Sequence, residues 1–300
     1  MEQIVYLNKE FFPATQASIS AFDHGFLYGD GLFETMRAYG GHIFLLDRHL
    51  GRLERSAKWL GIPLPPLDEL TGALCRLLAV NGLKDASIRL TVSRGPGPGR
   101  PELELCGPPT VLAAVRPYAY GGEEAEKSLS RRRLIVSCIR RNDLSPLAGI
   151  KSLNYMDSLL AREEAHRTGA DDAILLNTRG EIAETSTANI FFVQDQLILT
   201  PPIESGCLPG ITRQVVLEIA QAMGFRALEK VMMPQDLLCS DEIFVTNSLI
   251  EVAPVQEVNG QRVHDKIPGP ITRALAQAYR EMVGTFCGIA REDPLKLTRE

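Results

Sequence analysis

Two periods organise the apolar residues of this chain. Where they recur every three or four positions they predict helices. Leu50, Leu53, Ala57 and Leu60 share one face of a helix over 47–60, ended by Gly61 and the prolines beyond it. A second helix is expected over Leu67–Val80, stopping at Asn81-Gly82, with others over 153–168, 211–223 and 270–282. Short apolar runs bounded by turn residues predict strands. In the first part these are Ile4–Leu7 and 9–12 as a hairpin around Asn8, 32–39 and 42–45 across Gly40-Gly41, and Ala86–Ser93 and 110–115 either side of the loop RGPGPGRP. In the second part they are 134–139, 173–176, one long strand over 182–193, Leu197–Thr200 and 242–246.

Strands and helices mix without strict alternation of one with the other, so the expected class is α/β in the broad sense (α+β), not a simple doubly wound sheet. The chain turns polar between Tyr118 and Arg133, with Gly121-Gly122 and the stretch EEAEK. That change predicts a linker over 121–133 between a smaller domain over 1–120 and a larger one over 134–300. Composition is that of a globular protein, 45% apolar and 23% charged. A net charge of −5 and pI near 5.7 argue against nucleic-acid binding, which needs a basic face. Arg131-Arg132-Arg133 reads as a solvated loop. The N-terminus lacks a basic segment followed by an apolar one, so no signal peptide is expected, nor does any apolar run reach the roughly 20 residues of a membrane span. Six cysteines without a C-x-x-C pair fit buried thiols in a reducing compartment, and five scattered histidines suggest no metal site. The expectation is a cytoplasmic protein with neither membrane nor nucleic acid as partner.

Candidate chemistry starts from the lysines, of which there are eight against 24 arginines. Lys151 differs from the rest: it follows the loop SPLAGI and is expected to enter the apolar helix SLNYMDSLLA. Apolar neighbours favour the neutral amine, which attacks aldehydes, although a surface lysine at a helix start would look the same. Glu184 sits in the run GEIAETSTANIFFV, either as a partly buried carboxylate with a partner or as the end of an exposed turn. Gly210-Ile211-Thr212 opens a helix whose first amides are a ready phosphate site, a feature many helices share without binding anything. Asn247-Ser248 could add a second clamp, and Arg52 could be an anion ligand or a solvated helix charge.

Five segments change this picture when taken in order: FDHGFLYGDGLFETMRAY, IKSLNYMDSLLAREEAH, EIAETSTANIFFV, TPPIESGCLPGITR and DEIFVTNSLIEVAPV. Their order and spacing resemble the class IV aminotransferases, a group that includes branched-chain aminotransferases, D-amino acid aminotransferases and aminodeoxychorismate lyase. The resemblance runs over nearly the whole chain. It implies the pyridoxal-phosphate fold type IV, with pyridoxal 5′-phosphate held between a smaller N-terminal and a larger C-terminal domain, and a homodimer whose partner closes each site. Lys151 then matches the Schiff-base lysine and general base, Glu184 the partner of the pyridine nitrogen, and Tyr155 the tyrosine near the phenolic oxygen. Arg52, Ile211, Thr212 and Ser248 match the phosphate cradle. Tyr28, Phe33, Thr35, Arg89 and Leu249 fall where the family lines its substrate pocket.

The resemblance leaves the family member open. Arg89 and LPGITR favour an aminotransferase acting on branched-chain or other apolar L-amino acids and a 2-oxo acid such as 2-oxoglutarate. Ser87 and Thr35 depart from the branched-chain pattern, where tyrosine and glycine are usual, and Thr35 leans towards the lyase. The loop after Arg94 lacks the R-x-H clamp of the D-amino acid enzymes, though a D-amino acid or (R)-amine aminotransferase stays an alternative. A degenerate, non-catalytic cofactor-binding protein is a further alternative, against which the presence of both Lys151 and Glu184 counts.

Overall fold

The computed structural model describes residues 2–118, 132–263 and 267–288. The chain divides into two compact units: Met1–Ala125 with Lys151–Asn154 and Val283–Glu300, and Glu126–Ile150 with Tyr155–Met282. The expected linker over 121–133 lies, but for its last two residues, outside the described residues.

The first unit is built on a six-stranded sheet with the order β2-β1-β6-β5-β3-β4. Its strands are β1 (Ile4–Leu7), β2 (Glu10–Pro13), β3 (Gly31–Tyr39), β4 (His42–Ile43), β5 (Ala86–Ser93) and β6 (Thr110–Pro117). Asn8 and Lys9 take left-handed backbone (φ 47° and 77°), which is what a two-residue hairpin turn demands. The strand expected over 42–45 ends at Ile43 because Leu45 turns left-handed (φ 50°) to open the next helix. A short helix, α1 (His24–Tyr28), precedes β3, and α2 (Leu46–Leu60) and α3 (Leu67–Val80) pack on the sheet. Leu50, Leu53, Leu74 and Leu77 are buried, and on the sheet Met36, Ile88, Leu90 and Ala113 are buried as well. These four sheet residues alternate onto one side of β3, β5 and β6, so the residues between them face the other way.

The second unit carries a nine-stranded sheet, β12-β11-β10-β13-β14-β7-β8-β9 with β15 beside β14. The strands are β7 (Arg132–Arg141), β8 (Asp172–Asn177), β9 (Ile182–Thr185), β10 (Asn189–Gln194), β11 (Leu197–Thr200), β12 (Ala227–Glu229), β13 (Glu242–Asn247), β14 (Glu251–Val258) and β15 (Gln261–Arg262). Its helices are α4 (Met156–Arg167) and α5 (Ile211–Ala222), and α6 (Pro270–Cys287) begins in this unit. One core cluster joins Leu134, Ile174, Ile190, Phe192, Ile243 and Val255. On the opposite side of β10 and β13, Phe191 and Phe244 stack at 4.8 Å.

Four expectations are corrected. The strand expected over 182–193 is two strands, because Thr185–Ala188 forms a turn closed by Thr185 N–H donating to Ala188 O at 2.8 Å. Arg132 and Arg133 belong to β7, paired in parallel with β14, not to a loop. Cys75, Cys138 and Cys239 are exposed, while Cys207 and Cys287 are buried, and all six cysteines are free. Finally, α4 begins at Met156, so Lys151 does not enter a helix. Residues 151–154 run extended beside the start of β3 instead: Phe33 N–H donates to Lys151 O at 3.0 Å, Leu153 N–H to Gly31 O at 2.9 Å, and Ser152 bridges Leu32. Backbone pairing with a strand already in place outweighs the helical propensity of the segment.

Candidate active site

In the first unit, strand alternation puts Phe33 and Thr35 on the side of β3 away from the buried Met36. Register then sets Thr35 opposite Arg89 and Phe33 opposite Thr91. The Arg89 guanidinium carbon lies 3.8 Å from the centre of the Phe33 ring, and Lys151 Nζ lies 4.4 Å from it. A ring face is electron-rich and attracts the Arg89 cation. Phe33 is buried, Lys151 and Thr35 are half-buried and Arg89 is exposed. Four of the expected residues are therefore brought together by two strands and the extended segment 151–154. Asn154 anchors that segment by donating from Nδ2 to Gly29 O at 3.1 Å. Tyr28 ends α1 and is exposed; its ring meets His24 edge-on at 4.9 Å.

Arg52 points from α2 to Glu34, which alternates to the side of β3 opposite Phe33. Its Nε and Nη2 donate to the two carboxylate oxygens at 2.8 and 2.7 Å, and His49 Nδ1 lies 2.7 Å from Oε2. All three side chains are buried. Burial alone would raise the Glu34 carboxyl, but the Arg52 charge and the hydrogen bonds from His49 and Arg52 outweigh it and hold the group at about 2. Arg52 is thus fixed as a charge-assisted, two-pronged pair.

In the second unit, the turn Thr185–Ala188 carries Glu184 on one flank and Asn189 on the other. Thr185, Ser186 and Thr187 turn their hydroxyls to Asp172. Tyr155 OH donates to Ser186 O at 3.1 Å, which ties the residue preceding α4 to the same turn. Burial, and then the Glu184 charge, push the Tyr155 phenol up to about 12. Glu184 is 8% exposed; Leu208 N–H donates to its Oε2 at 3.0 Å and Arg141 Nε stands 3.4 Å from its Oε1.

Beside this lies the start of α5. Gly210 is its N-cap and offers no side-chain cap, so the first amides of the helix have no acceptor within it. A Cβ at Gly210 would sit 2.0 Å from Asn189 Oδ1, a distance no side chain tolerates. Asn189 in turn donates from Nδ2 to Leu208 O at 2.8 Å. Ile211 and Thr212 are buried. Opposite Asn189 in the ladder, the buried Thr246 hydroxyl has no hydrogen-bond partner among the described atoms. Past it, Asn247 Oδ1 accepts from Leu249 and Ile250 N–H, both at 2.9 Å, and its Nδ2 donates to Thr187 O at 3.1 Å. This turn presents Ser248 and Leu249, both half-buried.

Sequence reasoning passed over Arg141, Asp172, Asn189 and Thr246, whose roles arise from pairing. The strand ladder sets Asn189 opposite Thr246, and Arg141 at the far end of β7, level with Asn177 and not with Asp172.

Comparison with known proteins gives a consistent answer. The family model of the amino-transferase class IV matches residues 31–258. A putative branched-chain-amino-acid aminotransferase of Methanocaldococcus jannaschii is 39% identical, covering 93% of this chain and 96% of its own. An aminodeoxychorismate lyase of Bacillus subtilis is 33% identical (93% and 94% covered), and a D-alanine aminotransferase of Bacillus licheniformis 31% (93% and 96%). Among solved structures, the branched-chain amino acid aminotransferase of Escherichia coli superposes with a TM-score of 0.88 at 30% identity, covering 98% of this chain and 97% of that one. The branched-chain amino acid aminotransferase of Thermobaculum terrenum, in its pyridoxal-phosphate holo-form, gives 0.83 at 28% identity (94% and 94%). The match spans both units, with the sheets, the lysine segment and the glycine-led helix lying in the matched range. The chain belongs to the class IV aminotransferase family, whose members share fold type IV and work with pyridoxal phosphate.

Proposed function

We propose that this chain moves an amino group between a branched-chain or other apolar L-amino acid and a 2-oxo acid such as 2-oxoglutarate. The observation that carries the reading is the Phe33 cluster, where a reactive-type amine and a guanidinium flank one apolar ring. An amine that accepts a proton, a cation that binds a carboxylate and an apolar wall are what an apolar α-amino acid requires. The 39% relative and the branched-chain structural neighbours support the same substrate class.

The residues fit the cofactor. The glycine-led helix start, where a Cβ would collide with Asn189, would be a cradle for the phosphate, and the orphaned Thr246 hydroxyl belongs to the residue opposite Asn189 in the ladder. When bound, pyridoxal 5′-phosphate supplies an aldehyde carbon that condenses with amines and a ring that draws electrons from the bond being broken. The backbone at Ile211 and Thr212, the Ser248 hydroxyl and Arg52 would hold the phosphate. Glu184 would hold a proton at the ring nitrogen, and Tyr155, kept neutral, would stand near the phenolic oxygen. Lys151 would carry the cofactor, then take the proton from the substrate Cα once its amine is released. Arg89 would orient the substrate carboxylate over Phe33, with Thr35, Leu249 and Tyr28 as further walls.

The chain would act as a cytoplasmic homodimer. Phe22, Phe26 and Tyr28 crowd exposed around α1, with Phe26 78% accessible, which supports association there. Six free cysteines fit a reducing compartment. Thr35 beside Arg89 favours a second reading, aminodeoxychorismate lyase, which would use the same lysine and need no second substrate. A spectral titration of the holoenzyme decides between them. L-Leucine should bleach the visible band of the lysine-bound cofactor, and 2-oxoglutarate should restore it. The same cycle with D-alanine alone would give the D-specific activity. Formation of 4-aminobenzoate and pyruvate from aminodeoxychorismate, with no response to either amino acid, would make the protein the lyase.

A further inference from the structure

The surroundings of Glu184 within the second unit bear on its proposed place at the ring nitrogen, and the inference rests on that placement. Arg141, the last residue of β7, donates from Nη2 to Ala148 O at 2.6 Å and from Nε to Gly206 O at 3.1 Å. Both acceptors are backbone carbonyls, so two loops hold the guanidinium in addition to its pairing with the carboxylate. From this position Nε stands 3.4 Å from Glu184 Oε1, and the side chains are only 17% and 11% exposed. Water that would screen the two charges is largely excluded. Two groups that feel the Glu184 charge stay neutral themselves. Burial first, and the Glu184 charge second, push Tyr155 and Cys207 each up to about 12, which leaves both neutral. Asp172 is turned to the three hydroxyls of the 185–188 turn, and Arg213 pairs with Glu229 at 2.9 Å.

We infer that Arg141 is a positioning residue: its anchored guanidinium favours the ionised form of Glu184, and so sends the proton shared by that carboxylate and a ring nitrogen to the nitrogen. Moving the proton from carboxylate to ring leaves the net charge unchanged. It creates a negative charge next to the arginine and a positive one beyond the carboxylate. Coulomb attraction falls with distance, so the nearer, favourable term exceeds the farther, unfavourable one. Arginine suits the task because it does not itself lose its proton. The consequence is a ring kept cationic, and therefore electron-withdrawing, over a wider pH range than Glu184 alone would secure.

The test uses holoenzyme loaded with cofactor labelled with nitrogen-15 in the ring, whose chemical shift reports protonation directly. The wild type should show the protonated signal from about pH 6 to about pH 9. Arg141→Met should move the signal towards unprotonated pyridine inside that window and lower kcat by about tenfold at neutral pH, with less effect on KM. Arg141→Lys, which retains a charge, should restore the protonated signal in part. If Arg141→Met does not yield folded holoenzyme, Arg141→Gln keeps a donor for the two carbonyls and carries the same expectation. An unchanged shift in the neutral variants, with Glu184→Ala losing the protonated signal, would overturn the role of Arg141 alone. A protonated signal that survives Glu184→Ala would overturn the placement of Glu184, and the inference with it.

Discussion

Glu34→Gln offers a quantitative test of how the first unit holds its buried arginine. Glu34 is 1% exposed and receives Arg52 and His49, so the substitution leaves a buried guanidinium opposite a neutral amide. The carboxyl sits at about 2 in the folded chain against an ordinary 4.5. Each tenfold in proton affinity is worth 1.36 kcal/mol, so the ionised carboxylate contributes about 3 kcal/mol to stability at neutral pH. That agrees with the roughly 3–5 kcal/mol seen when one partner of a buried pair is removed. The sign follows from the depressed value: the contribution is complete above about pH 4.5 and is lost as pH falls towards 2. Urea unfolding of cofactor-free protein can be followed through Trp59, the single tryptophan, which lies on the same helix as Arg52. The wild type should exceed the variant by about 3 kcal/mol at neutral pH, and the two curves should converge in acid. A difference below about 1 kcal/mol, or one that stays constant down to the acid limit, would refute the reasoning.

Two further predictions concern the cofactor. Lys151→Ala should abolish the visible band of the bound cofactor and turnover while leaving the circular dichroism spectrum intact, since the half-buried side chain contributes little to the core; retained activity would remove Lys151 from its role. Gly210→Ala should weaken cofactor affinity by about tenfold or more, because the new Cβ must displace Asn189 Oδ1 from 2.0 Å and with it the first turn of α5. Equilibrium titration of the apoenzyme measures this, and an unchanged dissociation constant would take the phosphate away from that helix start.

Much of this protein is legible in the order of its residues. The helices Leu67–Val80 and Leu46–Leu60, and the strands Ala86–Ser93 and Leu197–Thr200, follow from periodicity and turn residues, because each buries one face or runs between breakers. The candidate lysine, the glycine-led helix and Glu184 could be named from segments whose order resembles one family. Local rules failed where a distant partner decided the outcome. Residues 151–154 have the composition of a helix start, yet they run extended because β3 offers them backbone partners more than a hundred residues away in sequence. The 182–193 run looks like one strand until Asp172, on the neighbouring strand, gathers its three hydroxyls into a turn. Arg141 carries no signal of its own: it gains a role only because carbonyls of Ala148 and Gly206 fix it next to Glu184. Sequence therefore determined the elements and the kind of chemistry, since propensity and residue type are local properties. Tertiary structure decided which charges meet, since hydrogen bonds and Coulomb forces act through space and not along the chain.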